Sequence, residues 1–327
     1  MWVKDWLSDR EQRVVLNGSS SGWCRVTSGV PQGSVLGPLL FVIYINDIDN
    51  SVISRVLKFA DDTKMFRVVS SQVEVDILRE DLKNLFQWSQ EWLMLFNLDK
   101  CKVIHFGRNN PNAVYSLGGV TLEAIDVERD LGILLQKDLK VSNQCTKVVR
   151  TANRVLGMIY RTFTSRTQDI VLKLYKSLVR PHLEYAIQAW RPHLQRDMNA
   201  IEKIQRRATR MIVSLRDLPY EVRLSRLKLT TLETRRLRGD LIEAFKIMKG
   251  LVDVKSSDLF TLSNNSLRGH SLKLFKSVYN LDCGKFVFTN RVVKEWNLLT
   301  EEIISCSTVN TFKNKVDHHL RFSRGFI

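Results

Sequence analysis

The sequence predicts an α+β protein in which a small antiparallel sheet with covering helices precedes an all-α section and a mixed C-terminal extension. Three observations support this. Short β-branched runs between turn sequences fill much of residues 1–139. From residue 140 to 250, apolar residues recur at helical spacing, and residues 251–327 are polar and mixed. At 327 residues, the chain is long enough to build real hydrophobic cores.

The first section combines hairpin and helix patterns. A strand over residues 13–16, a turn over 17–22 and a return strand over 23–27 predict a hairpin. The apolar run 35–48 predicts a buried helix, and residues 74–95 carry apolar side chains on one helix face. Further strands are expected over residues 101–106 and 131–135.

Four long helices are expected in the second section, and this section also carries the charge. The predicted helices are 141–163, 169–190, 197–214 and 229–249. Residues 140–250 hold 24 basic and 9 acidic side chains, against 15 and 18 in residues 1–139 and 11 and 7 in residues 251–327. The net charge of +16 indicates a polyanionic partner or an anionic membrane surface, and its concentration in helices makes that section the candidate surface.

Cysteine usage and hydropathy favour an intracellular protein, in the nucleus or the cytoplasm and not secreted. The five cysteines are odd in number, and no two form a Cys-x-x-Cys pair, which argues against a disulfide framework or a zinc module. The longest apolar run, Val35 to Ile45, is too short to cross a bilayer. No membrane association is therefore expected, and the sequence does not indicate an oligomeric state.

The most specific chemical feature is a pair of adjacent carboxylates at a predicted hairpin tip. Strand-like runs over residues 52–59 and 63–69 flank Ala60, Asp61 and Asp62. Two carboxylates in one turn repel each other and attract a hard divalent cation such as Mg²⁺. An isolated Asp-Asp turn is more often simply solvated, so neighbouring motifs must decide between the two interpretations.

Those neighbours resemble reverse transcriptases. Residues 28–41 resemble the glycine-proline-glutamine motif of that family, and Phe59-Ala60-Asp61-Asp62 resembles its aromatic-x-Asp-Asp hairpin. Asn97-Leu98-Asp99-Lys100 is similar to its Asn-x-x-Lys element, and Leu131-Gly132-Ile133 to the strand of its primer grip. Later segments resemble the region that follows the palm in non-LTR, LINE-type and especially jockey-like elements: residues 178–185, 189–190, 201–209, 235–243, 245–248, 291–297 and 312–313.

The resemblance implies a partial polymerase palm over 1–139, a basic helical thumb-like domain over 140–250 and an extension over 251–327. It implies RNA-directed DNA polymerisation, with an RNA template, a DNA primer or RNA–DNA hybrid, and a dNTP as partners. Asp61 and Asp62 would hold Mg²⁺ in a two-metal site, with Lys100 near the leaving pyrophosphate. The expected nucleotide and template contacts are Gly29, Pro31, Gln32 and Gly33.

Two basic stripes in the helical section predict nucleic-acid contacts. Each follows helical spacing, and the alternative for each is a solvated charged face. The stripes consist of Lys173, Lys176 and Arg180, and of Lys203, Arg206, Arg207 and Arg210.

The resemblance also implies a further catalytic aspartate upstream of the glycine-proline-glutamine motif. Residues 1–28 offer only Asp5 and Asp9, in a context that resembles the segment after that strand. We therefore expect the chain to begin inside the palm, to lack fingers and endonuclease, and to polymerise poorly alone. Asp47 could substitute for the missing aspartate, but its position at a predicted helix end favours a role as a helix-terminal residue. The alternatives are a non-catalytic nucleic-acid-binding remnant and an unstable product of a decaying insertion.

Overall fold

The computed structural model describes residues 2–263 and 269–323, and the chain divides into two compact units, Met1–Ile125 and Asp126–Ile327. The first unit mixes short strands with helices, and the second is helical apart from one hairpin and one isolated bridge among its described residues. The predicted α+β class is confirmed at this level. The boundaries expected at residues 139 and 250 stay predictions.

Strands in the first unit form two-stranded ladders and not the single small sheet that the sequence predicted. Four ladders are antiparallel: Glu11–Gln12 with Cys24–Arg25, Val15–Leu16 with Ser19–Ser20, Arg55–Phe59 with Asp62–Phe66, and Ser116–Leu117 with Val120–Thr121. A fifth ladder, Lys102–Val103 with Glu123–Ala124, is parallel. Most of these strands are two residues long. The strands are β1 Glu11–Gln12, β2 Val15–Leu16, β3 Ser19–Ser20, β4 Cys24–Arg25, β5 Arg55–Phe59, β6 Asp62–Phe66, β7 Lys102–Val103, β8 Ser116–Leu117, β9 Val120–Thr121 and β10 Glu123–Ala124.

The N-terminal hairpin turns earlier than predicted. Asn17 and Gly18 both have positive φ, 49° and 84°, the geometry in which an Asn-Gly pair closes a two-residue hairpin. Ser19–Ser20, expected in the turn, therefore forms the return strand, and Cys24–Arg25 pairs further out with Glu11–Gln12.

Helices of the first unit are α1 Trp2–Leu7, α2 Leu36–Tyr44 and α3 Gln72–Glu91. The predicted helix near residues 74–95 is confirmed as α3, which begins at a capping box between Ser71 and Glu74. The prediction that the run 35–48 forms a buried helix is wrong in its burial. The helix α2 carries apolar side chains on all of its faces, but only one face packs on the small core around Ile45 and Ile48. Leu39, Val42 and Ile43 are therefore exposed.

The second unit begins with a hairpin, β11 Val127–Asp130 and β12 Ile133–Gln136. The expected strand 131–135 is corrected there, because Leu131 and Gly132 have positive φ and form the turn. The helices that follow are α4 Ser142–Thr162, α5 Gln168–Leu174, α6 Arg180–Glu184, α7 Ile187–Trp190, α8 Gln195–Arg210, α9 Tyr220–Arg226, α10 Leu232–Met248, α11 Ser256–Leu259, α12 Asp282–Lys285, α13 Phe288–Arg291, α14 Val293–Asn297, α15 Glu301–Ile304 and α16 Val309–Ser323.

The single helix predicted over residues 169–190 is instead broken into segments. A π-helical turn, Tyr175–Val179, separates α5 from α6, and Pro181, which has no N–H to donate, lies at the start of α6. Ala186 then adopts φ 49°, which ends α6 before α7 begins. The other three predicted helices are confirmed as α4, α8 and α10 with shifted ends.

Two hydrophobic cores organise this unit. One packs α4, α8 and α9 around buried residues such as Leu156, Leu183 and Ile201. The other packs α10 against the C-terminal helices through Phe245, Trp296 and others. The described part of the C-terminal extension is therefore folded onto α10. Among the residues that the structure describes, no helix has the length and apolarity needed to span a membrane.

Candidate functional site

Asp61 and Asp62 lie at the end of the β5–β6 hairpin, as the sequence predicts. Ala60 and Asp61 form the turn, and Asp62 opens β6 opposite Phe59. Ala60 adopts φ 51°, a left-handed conformation that costs energy for a residue other than glycine. Both aspartates are exposed. The hairpin thus presents two adjacent carboxylates, hard oxygen ligands, at an accessible edge.

Two buried or partly buried acids fix this hairpin to the rest of the unit. The Asp81 carboxylate, 1% exposed on α3, accepts hydrogen bonds from the backbone N–H groups of Ile53 (2.9 Å) and Ser54 (2.8 Å) just before β5. Lys58 on β5 donates to Asp49 Oδ1 at 2.6 Å, and this hydrogen bond lowers the pKa of Asp49. Neither acid was predicted, although Asp81 carries a signal: an acid inside the apolar stripe of a helix.

The loop that precedes α2 is held at both ends. Arg10 Nη2 donates to the carbonyl oxygens of Gly29 (2.6 Å) and Ser28 (3.3 Å). The Ser34 hydroxyl donates to Pro31 O at 2.8 Å and accepts from Gly37 N–H. The backbone of the loop is therefore positioned without any ligand.

Gly29 and Gly33 adopt φ 74° and 79°, and a Cβ built on either would meet no other atom within 4 Å. Glycine is required there by backbone conformation, and the surrounding space stays open to another molecule. Gln32 is exposed between them, and Pro31 is half-buried.

Lys100 is exposed in a 3₁₀ turn, Leu98–Lys100, of the same unit. No hydrogen bond or ion pair within residues 2–263 and 269–323 joins Lys100, the Gly29–Gly33 loop and the Asp61–Asp62 hairpin to one another. Asp47, the weaker candidate, is engaged elsewhere: its Oδ1 accepts from the Trp88 indole N–H at 3.1 Å. No cluster of three or more His, Cys, Asp or Glu residues with metal-binding geometry occurs in the described chain.

The basic stripe on α8 is a solvent-exposed helix face. Lys203, Arg206, Arg207 and Arg210 are all exposed, while the opposite side of the helix is buried. The Arg206 guanidinium lies over the Tyr220 ring, 4.3 Å from its centroid. The second stripe is divided, because Lys173 and Lys176 are exposed whereas Arg180 is half-buried beside Glu184.

Beneath the α8 face lies a buried polar network that was not predicted. Gln205 accepts from the Tyr175 hydroxyl at 2.7 Å and donates to Tyr220 and to Thr230 O. Tyr220 donates to the Glu202 carboxylate. Burial raises the pKa values of Glu202, Tyr175 and Tyr220. Glu202 and Gln205, one turn apart on the inner side of α8, are the sequence signal for this network.

The turn of the β11–β12 hairpin, which contains the segment resembling a primer grip, is fixed by two side chains of the helical section. Lys147 donates to Gly132 O at 2.9 Å, and the Tyr185 hydroxyl donates to Leu131 O at 3.1 Å. Neither side chain was predicted to have this role. Together they hold two successive carbonyl groups of the turn.

Residues 1–160 match the family described as reverse transcriptase (RNA-dependent DNA polymerase). This part of the chain, just under half of it, is therefore similar to reverse transcriptases. The matched segment includes the Gly29–Gly33 loop, the Asp61–Asp62 hairpin and Lys100, so all the candidate residues of the first unit lie within it. Members of this family are nucleotidyltransferases.

Three similar proteins are polymerases of mobile elements. The RNA-directed DNA polymerase from mobile element jockey of Drosophila funebris is 27% identical over 227 residues, 64% of this chain. The probable RNA-directed DNA polymerases from transposon X-element and transposon BS of Drosophila melanogaster are 27% and 28% identical over 221 and 237 residues, 64% and 68% of the chain. The matches cover only 24 to 26% of those proteins, so the chain spans about a quarter of the relatives' length.

Proposed function

We propose that this chain is part of an RNA-directed DNA polymerase that performs template-primed nucleotidyl transfer in retrotransposition. The observation that carries the proposal is the exposed Asp61–Asp62 pair at a hairpin tip within the segment that matches the reverse transcriptase family. The substrates would be an RNA template, a DNA primer or an RNA–DNA hybrid, and a dNTP. In this proposal the protein meets its template in the nucleus or the cytoplasm.

The donor set at the hairpin fits Mg²⁺. This ion commonly takes one or two protein carboxylates and completes its shell with water and substrate phosphate oxygens, and Asp61 and Asp62 supply two exposed carboxylates. Bound there, Mg²⁺ would supply charge neutralisation for phosphoryl transfer. The strained backbone at Ala60 and the Asp81 anchor keep the two side chains at a fixed edge.

Other residues of the chain bind and orient substrates in this proposal. Gly29 and Gly33 let a nucleotide or template approach the backbone, with Gln32 exposed to contact it. Lys100 holds its cation near the departing pyrophosphate. The α8 face of Lys203, Arg206, Arg207 and Arg210 contacts phosphates of the duplex.

We expect weak incorporation from this chain alone. Two adjacent carboxylates on one hairpin are too few to hold two metals and also align the attacking and leaving oxygens. Asp47 does not supply a third, because its carboxylate accepts a hydrogen bond from Trp88. Strong incorporation of labelled dNTP on a primed RNA template, abolished by Asp61→Ala, would contradict this expectation.

The polymerase assignment itself is tested by Mg²⁺-dependent dNTP binding, measured by calorimetry with a primed RNA template present. Asp61→Asn should weaken this binding. The matched control is Asp217→Asn, an exposed aspartate of the second unit, which should leave it unchanged. Binding that is equal in both variants would argue against the assignment.

The second candidate is a non-catalytic nucleic-acid-binding remnant, favoured by the exposed basic face of α8. It predicts RNA binding that falls steeply with salt and is indifferent both to Mg²⁺ and to Asp61→Asn. An aggregated or molten chain on expression would instead indicate the unstable product of a decaying insertion.

A further inference from the structure

A second basic surface lies in the second unit, and it is concave. A cleft of about 390 Å³ is lined by Lys176, Arg180, Lys228, Arg235 and Arg238, together with Asp317. We call this the basic cleft. Lys228, Arg235 and Arg238 are absent from both predicted stripes, because they come from different elements and share no helical period with Lys176 and Arg180.

Four parts of the fold bring these cations together. Lys176 lies in the π-helical turn and Arg180 begins α6; π-helical turns are frequent at functional sites. Lys228 precedes α10, and Arg235 and Arg238 are one turn apart on that helix. The cleft is therefore a product of tertiary structure.

Carboxylates orient the arginines without neutralising the cleft. Arg235 pairs in bidentate fashion with Glu184, and Arg238 with Asp317, with Nη2-to-oxygen distances of 2.9 and 3.0 Å. Arg180 Nε lies 3.7 Å from Glu184 Oε1. The five cations thus face two carboxylates, which leaves an excess of three positive charges.

Crowding of cations is apparent in the partly buried arginines. Their side chains are 20 to 25% exposed. Burial, and after it the charge of Arg235, lowers the pKa of Arg180. Within the described residues, Lys176 and Lys228 are exposed and form no ion pair within 4.0 Å, so both ammonium groups are available to a ligand.

We propose that the basic cleft binds a phosphate group, supplied by a nucleic-acid backbone or by a free oligophosphate. Each guanidinium has five N–H donors, and a bidentate carboxylate pair uses two of them, so Arg235 and Arg238 keep donors for an anion. A multiply charged oxyanion matches an excess of three positive charges. The volume lies within the range of ligand sites, about 300–1,000 Å³. The proposal does not depend on polymerase activity.

The test uses the full chain and the variant Lys176→Ala/Lys228→Ala, which removes the two unpaired cations and no structural ion pair. The matched control is Lys276→Ala/Lys294→Ala, which removes two exposed lysines of the same unit outside the cleft. Calorimetry with sodium tripolyphosphate in EDTA measures binding of a free oligophosphate without Mg²⁺. Fluorescence anisotropy with a labelled 20-nucleotide single-stranded RNA measures binding of a backbone.

For RNA, losing two phosphate contacts should make the negative slope of log K against log[salt] shallower by about 1.4 and weaken binding about 25-fold at 0.1 M salt. The control variant should leave the salt slope unchanged and should change the affinity by no more than about 2-fold. Loss of tripolyphosphate binding with unchanged RNA binding would assign the cleft to free oligophosphates.

The proposal would be overturned if the cleft variant bound both probes as tightly as the wild type. It would also be overturned if the control variant lost as much affinity as the cleft variant, because the effect would then come from the overall positive charge. Because these measurements exclude Mg²⁺ and dNTP, their failure is distinct from failure of the Asp61→Asn test.

Discussion

Replacing Asp240 by alanine should destabilise the second unit strongly. The Asp240 carboxylate is fully buried on α10 and lies between two arginines of other elements. Arg191, just after α7, donates to Oδ2 at 2.9 Å. Arg291, at the end of α13, donates to both oxygens, each at 2.9 Å. One anion thus joins three elements of the unit.

The magnitude follows from burial. The side chains of Arg191 and Arg291 are only 16% and 10% exposed, so removal of the anion leaves two poorly solvated cations next to each other. Breaking a buried ion pair by deleting one partner costs about 3–5 kcal/mol, out of a total stability of about 5–15 kcal/mol. Urea unfolding followed by far-UV circular dichroism should show a midpoint lower by about 1 M or more.

The matched control is Asp317→Ala. Asp317 also accepts a bidentate pair, from Arg238, but its side chain is 41% exposed. Arg238, the cation that remains, is 24% exposed and lines a cleft that solvent can enter, so the expected loss is smaller, about 1 kcal/mol. Equal losses in the two variants would refute the argument that burial sets the energy.

Three further outcomes are expected. Gly33→Ala should cost about 1 kcal/mol of stability because φ is 79°, whereas Gly22→Ala, in open space without positive φ, should cost almost nothing; thermal melts compare the two. Asp81→Ala should cost about 1–3 kcal/mol by leaving the Ser54 N–H without its acceptor, against less than about 0.5 kcal/mol for exposed Asp76→Ala, and similar losses would contradict this. Burial raises the pKa of Glu202, so the stability that this group contributes is complete below its usual pKa of 4.5 and is lost as pH rises through the folded-state pKa. Urea titrations of Glu202→Gln should therefore show a smaller fall in the free energy of unfolding above pH 4.5. An unchanged fall with pH would count against this reasoning.

Local patterns in the sequence predicted the parts of the fold that local chemistry determines. The β5–β6 hairpin was predictable because a turn sequence separates two strand-like runs, and α3 because its apolar side chains recur on one face. The turn at Gly29–Gly33 was predictable because glycine readily adopts positive φ, and both glycines do so. These features depend on residues that lie close together in the chain.

Features that depend on distant residues could not be predicted. Ala186 adopts positive φ with no local signal, and the burial of a helix such as α2 depends on what other elements leave exposed. The Asp240 pair with Arg291 spans 51 residues, and the basic cleft collects cations between residues 176 and 238. Residues such as Asp81 gave a partial signal, a charge within an apolar stripe, but not the identity of the partner.

The basic side chains of the helical section, residues 140–250, fall into two groups: those buried in the fold and those exposed to solvent. Arg191 is paired with the buried Asp240 carboxylate, and Arg236, 2% exposed, is packed inside the unit where burial lowers its pKa. These two arginines are largely enclosed by the protein, so the net charge of +15 over residues 140–250 overstates what a nucleic acid can reach. The accessible cations include those of the α8 face, those of the basic cleft and other exposed side chains such as Arg154, Lys173 and Arg216. Salt dependence of binding therefore measures this second group, and a slope that required every cation of residues 140–250 would mean that the buried pairs open on binding.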